Sequence, residues 1–411
     1  MIKQLGWTST LIAASLMLGG CEVSINDNTL KGSGKSATEV RTVTTFDAIN
    51  NSTSFDVVVT AEGSSGVEVV GDDNLLAEVE TIVEGNTLML RNKRKGGIRI
   101  STHHTPLTVR VSMPVLTKID SNGSGDIKLL KLHGDKLSIT INGAGDMQAS
   151  GNIGEANVNV NGSGDLNMVQ LRTGKLTLEQ NGPGDVHLGT VTQTMEARMN
   201  GSGDLEADGL QVDSLNLTAN GPGNANLNGV IKSLTAQLSG SGDMSIDRLQ
   251  AEQASLTMNG PGEVRLSGEV KQFNITSSGS GDLDASGLQV GIVAIKGSGP
   301  GNISLKNVKT DLKADYSGSG DLSAALNSAE KIDLSISGPG SINLEGSAKN
   351  LTAMLSGSGD LHATTLLLEH ASVKVTGPGE AEVNVKSTST GKNDTSTSSR
   401  VVRVDRRGVM Q

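Results

Sequence analysis

The chain has 411 residues and a formal charge of −10, which argues against a nucleic-acid partner, since neutralising phosphates takes a basic face. Glycine supplies 53 residues and aromatic residues only 1%, so any core is aliphatic and a sugar-stacking aromatic platform is nearly excluded. Such a composition belongs either to a disordered chain or to an ordered repeat.

In chain order, residues 1–20 read as a targeting segment. Lys3 gives the positive end, "LIAASLML" the short apolar run and "LGGC" the processing site. The apolar run is too short to cross a bilayer as a mature helix. Small residues followed by Cys21 resemble the lipobox of bacterial lipoproteins, which implies a Cys21 that is diacylated, freed at its amino side and acylated again. Several acyl chains anchor stably where one is marginal. Cys21 is also the one cysteine, so no disulfide within the chain is available. Glu22, rather than Asp, at the second mature position favours the outer membrane. Residues 21–39 are expected to form a polar tether.

Residues 40–121 hold short β-like runs such as "FDVVVTA" and "PLTVRVSMPVL", with no repeat. A repeat then fills 122–385. The residue after each Gly-x-Gly triplet falls at Asp126, Asp146, Asp165, Asp185, Asp204, Asn224, Asp243, Glu263, Asp282, Asn302, Asp321, Ser341, Asp360 and Glu380, at alternating spacings of 20 and 19. After it come apolar, polar and apolar residues in turn, as in Leu166, Asn167 and Met168. That period of two marks a strand with one face buried. A second strand precedes each turn, and no 3.6-residue period is sustained. Each unit has no way to bury its apolar face alone, so stacking is required. The expected fold is all-β: a right-handed parallel β-helix of about 14 coils, about 65–70 Å long, behind an N-terminal β cap. Residues 386–411, Ser/Thr-rich and then basic at Arg400, Arg403, Arg406 and Arg407, are expected to be a disordered tail.

The coil could hold 19–20 residues or 39. A 39-residue coil stacks the Gly-Ser-Gly-Asp carboxylates about 4.8 Å apart, and the shorter coil spaces them at about 9.6 Å. The pairwise repulsion in bulk water falls from about 0.9 to about 0.4 kcal/mol, which leans toward the short coil.

The turn glycines are Gly123, Gly125, Gly162, Gly164, Gly201, Gly203, Gly240, Gly242, Gly279, Gly281, Gly318, Gly320, Gly357 and Gly359. They are expected to reverse the chain at positive φ, with the following acid capping its own corner as in an Asx-turn. Three functional readings stand beside that structural one. The carboxylates Asp126, Asp165, Asp204, Asp243, Asp282, Asp321 and Asp360 are calcium candidates, although the calcium β-roll repeats every nine residues and sets its Asp differently. Polysaccharide cleavage needs acids that converge once, whereas these recur evenly. A phosphate loop is excluded because no Gly-Lys-Ser/Thr follows a Gly-rich turn. His103 and His104 are adjacent, so in a strand they face opposite ways and hold no common metal. "RNKRK", Arg91 to Lys95, reads as a solvated basic loop able to touch anionic lipid.

The runs "FDVVV", "GDDNLLAEVETIVEGNTLML" and "LTVRVSMPVLTKIDSNGSGDI", followed by paired Gly-Ser-Gly repeats, resemble the adhesin head family called the GIN domain. The resemblance covers about 40–385 and implies a β-helix without a recognised catalytic set and a role in cell adhesion. The expectation is thus a non-enzymatic, lipid-anchored envelope protein with no cofactor. Its partners would be membrane lipid through Cys21 and an envelope polysaccharide or neighbouring surface, with self-association left open. A periplasm-facing structural or polysaccharide-binding lipoprotein is the alternative, and a carbohydrate lyase comes third.

Overall fold

The computed structural model describes residues 29–94, 99–101, 106–391 and 394–405. The targeting segment, Cys21, His103, His104, Lys95, Arg406 and Arg407 lie outside these residues. The repeat winds into a parallel solenoid whose coil length is settled by register. Leu166 pairs with Val186 and Val186 with Leu205, so each strand meets its counterpart 20 or 19 residues on. The stacked parallel coils make about 13 turns.

One coil shows how sequence makes the shape. In the strand Leu166–Gln180, the buried positions are Leu166, Met168, Leu171, Thr173, Leu176, Leu178 and Gln180. Alternation slips at Val169–Gln170 and again at Gly174–Lys175, where two successive residues face out. Each slip is a bend, and with the Gly-x-Gly corner the coil has three legs around an aliphatic centre. Stacking then gives each buried residue the same kind of neighbour above and below, which lets Leu, Ile, Val, Ala and Met fill the core. Among the described residues Tyr316 is the largest fully buried side chain. Its in-register neighbour is Gly297, where a Cβ would come within 2.3 Å of the Tyr316 ring. The glycine makes room for the ring.

The N-terminal segment supplies more of the solenoid than its sequence suggests. Ala48–Ser52 lies between Thr87–Asn92 and Lys118–Ser121, parallel to both. Asp56–Ala61 likewise lies between Thr108–Met113 and the first residues of Ile127–Ile141. Stacking order thus departs from chain order: 48–61 is sandwiched between coils formed by later residues. Its corner carries Thr53 and Phe55 where later coils carry glycines, since Gly123 and Gly125 stack directly on their carbonyls.

Both ends are closed by antiparallel strands. Ser36–Arg41 pairs with Gly66–Asp72, which pairs with Thr108–Met113, and Val79–Glu84 pairs with Thr87–Asn92. The polar tether is therefore shorter than expected, because Thr29–Lys31 and Ser36–Arg41 are strands. The expected disordered tail is also corrected: Ala381–Gly391 and Asp394–Val404 form an antiparallel hairpin on the last coil. Val404 is buried and pairs with Ala381, so the basic tail keeps an apolar anchor that its Ser/Thr content conceals. Covering a terminal coil also removes a bare strand edge from solvent.

Candidate functional site: the stacked corner edge

The corners from Asn122 to Asp204 read Asn-Gly-x-Gly-Asp, later ones often carry Ser before the first glycine, and the corner glycines serve a purpose other than the one expected. Among the described glycines with positive φ, none belongs to a Gly-x-Gly corner of the repeat. The requirement is close approach. A Cβ on Gly223 would stand 2.1 Å from the carbonyl oxygen of Gly203, and one on Gly203 would stand 2.1 Å from that of Gly184. Backbone thus packs on backbone down the whole edge, and a side chain at either glycine has no space. Positive φ occurs instead at the first bend, five residues after the acid, at Lys131, Gly151, Gly209, Gly229, Arg248, Gly268 and Gly346.

The acids also act differently from an Asx-turn. Each Asp reaches to the next coil and accepts a hydrogen bond from the backbone amide of the residue that stacks on it. Asp146 N donates to Asp126 Oδ1 at 3.0 Å, Asp165 N to Asp146 at 3.0 Å, and Asp204 N to Asp185 at 2.8 Å. Asn performs the same task, since Asp243 N donates to Asn224 Oδ1 at 2.9 Å. The ladder begins in the sandwiched coil, where Asp56 Oδ1 accepts from Asp126 N at 3.3 Å. Where Glu263 or Ser341 takes the position, the chain length is wrong and the amide of Asp282 or Asp360 gains no such bond.

A second ladder runs beside the first. Asn142 Nδ2 donates to Asn122 Oδ1 at 2.8 Å, and Asn161, Asn181, Asn200 and Asn220 each donate to the preceding asparagine at 2.9 Å. The edge is therefore a line of amides and carboxylates at about 4.8 Å pitch. All seven calcium candidates lie in this column, and each sits one rung from the next column residue rather than beside it. Among the described residues no three His, Cys, Asp or Glu side chains converge on a metal-sized point. The chemistry the edge offers is repetitive hydrogen bonding and negative charge.

A further edge, between the second and third legs, carries ion pairs one rung apart. Lys232–Asp213 is 2.7 Å, Lys271–Glu252 is 2.6 Å and Lys349–Glu330 is 2.7 Å. The Lys232 and Lys349 amines are held above the usual range by hydrogen bonds to these carboxylates. All six side chains are more than half exposed, so the pairs are screened and weak. The basic loop is paired too: Arg91 with Glu84 at 3.1 Å and Arg94 with Glu78 at 3.0 Å. Arg403 meets Glu380. Among the described residues no helix is long and apolar enough to cross a membrane.

A family described as "Putative auto-transporter adhesin, head GIN domain" matches residues 45–247, 189–264, 232–327 and 308–402. A crystal structure described as a "putative adhesin" from Bacteroides fragilis is 17% identical, covers 84% of this chain and 99% of its own, and has a TM-score of 0.22. One with the same description from Parabacteroides distasonis is 19% identical, covers 79% and 99%, and has a TM-score of 0.23. Another from that species, described as a "putative lipid binding protein", is 16% identical, covers 86% and 98%, and has a TM-score of 0.21. No curated protein matches the chain. With family matches running from residue 45 to residue 402, the chain belongs to the GIN head-domain family.

Proposed function

We propose that this protein is a lipid-anchored rod of the cell envelope that works as an adhesin and has no enzymatic activity of its own. The observation that carries the reading is the form of the molecule: the same corner recurs from Asp126 to Glu380, giving a long surface of repeated groups. Catalysis uses one place where nucleophile, base and oxyanion donors meet. Repetition suits many weak contacts along a partner, which multiply when engaged together. The family description supports adhesion, and the lipobox around Cys21 supports a tether.

The anchor and the role are tested together. Cys21→Ala is expected to move the protein from the membrane fraction to the soluble fraction. Deleting the whole chain is expected to reduce adherence of cells to surfaces. A rod that added protease never reaches on intact cells, only on permeabilised ones, would contradict adhesion and favour a periplasm-facing structural role.

A further inference from the structure

Away from the corner edge, the second leg of the coils between 243 and 321 carries a recess. A cavity of about 670 Å³ is lined by Arg248, Gln250, Glu269, Lys271 and Gln289, and an adjoining one of about 280 Å³ shares Glu269, Lys271 and Gln289 and continues to Ile292 and Lys309. Together they form one trough parallel to the rod axis.

Register explains its lining. Gln250 pairs with Glu269, Glu269 with Gln289 and Gln289 with Asn307, so four planar polar side chains stand in one column on successive rungs, the first three of them lining the trough. All four are exposed. The amides of Gln250, Gln289 and Asn307 have no hydrogen-bond partner among the described residues, in contrast to the Asn ladder at the corner edge. Beside the column, Ile292 is 41% exposed. Its neighbour Gly291 has no room for a side chain, because a Cβ would come within 2.6 Å of Lys271 O. Ile292 therefore lies open next to a column in which the three amides are unpaired.

Both lysines of the trough are paired with acids: Lys271 Nζ meets Glu252 at 2.6 Å and Lys309 Nζ is 4.0 Å from Glu269, while Arg248 Nε donates to the neutral Asn228 Oδ1 at 2.6 Å. An acidic polymer would compete with Glu252 and Glu269 for the two lysines, whereas a neutral one leaves both pairs in place. A peptide strand finds no edge to extend, since the coils here are paired on both sides. What fits is a chain with a hydroxyl-rich rim and an apolar ring face: hydroxyls to the amide column, C–H groups to Ile292.

We propose that this trough binds a neutral glycan strand laid along the rod axis. The inference rests on the adhesin reading and names the class of surface polymer it would hold. The test uses the purified full chain, titrated by NMR or calorimetry with maltohexaose, cellohexaose, xylohexaose and chitohexaose, and with hexagalacturonate as the acidic comparator. At least one neutral oligosaccharide is expected to bind. The double variant Gln250→Ala/Gln289→Ala is expected to weaken that binding about tenfold, as the loss of two or more hydrogen bonds implies, with its melting temperature unchanged. Binding of hexagalacturonate alone, binding of none of the five, or equal binding by the double variant would overturn the proposal. Its failure is separable from failure of the adhesin reading. Cells that carry the double variant and still adhere, where deletion abolishes adherence, would leave adhesion standing and remove the trough from it.

Discussion

Gly223 has no side chain because the carbonyl oxygen of Gly203 occupies the place where a Cβ would stand. The triplet was legible as a corner from its recurrence, but not the reason for it, because a one-dimensional pattern does not show what lies one coil below. Gly223→Ala is therefore expected to cost about 1–3 kcal/mol through overpacking against backbone that cannot move aside, although Ala tolerates most turns. Thermal melting reads it, and an unchanged transition would contradict the close approach. The acid column gives a second prediction. Ser341→Asn restores a side-chain acceptor for the Asp360 amide, as Asn302 does for Asp321 at 2.9 Å, and is expected to stabilise by about 1 kcal/mol. Asp165→Asn keeps its bond to the Asp185 amide and relieves repulsion along the column, so melting should hold or rise, most of all at low salt. A large loss of stability in Asp165→Asn would mean that the charge itself is needed, as a bound cation would require.

At the scale of one coil, alternation of buried and exposed residues was readable and gave the strands, since period two survives however the chain is bent. The two bends between legs were not separated from it. Yet a signal existed: Gly151, Gly209, Gly229, Gly268 and Gly346 all fall five residues after the column position and take positive φ. Lys131 and Arg248 occupy the same place and show that the backbone, not the residue, dictates it. The coil that holds Tyr316 offers a pH test. Burial, with the nearby charges of Asp321 and Asp282, pushes its phenol up from 10 to about 12. Its folded pKa lies above the unfolded one, so its contribution is full below about pH 10 and is lost as pH rises toward 12. Two units correspond to about 2–3 kcal/mol. Tyr316 is the one tyrosine in the chain, so phenolate absorbance reports it alone. Ionisation near pH 10 with the fold intact would contradict its burial beside Gly297.

For the whole molecule, the solenoid and its family were legible because thirteen intervals repeat without error. The place of 48–61 between later coils was not, since Thr53 and Phe55 replace the glycine marker and only backbone stacking reveals the equivalence. The closing hairpin was hidden for a different reason: Ser and Thr suit an antiparallel ribbon as well as a disordered tail. The polar column along the trough was missed because Gln250, Glu269 and Gln289 become neighbours only once the bends fix the register.

That register is the claim on which the ladders, the close-packed glycines and the trough all depend, and cysteine pairing measures it directly. In a background with Cys21→Ser, Thr257→Cys/Thr276→Cys places thiols on adjacent rungs, and Thr257→Cys/Lys296→Cys places them two rungs apart. Adjacent rungs, about 4.8 Å apart, fall within disulfide reach, and about 9.6 Å does not. Mild oxidation is expected to close the first pair within the monomer and to leave the second open. Closure of the second pair with the first left reduced would mean a 39-residue coil and would contradict the structure.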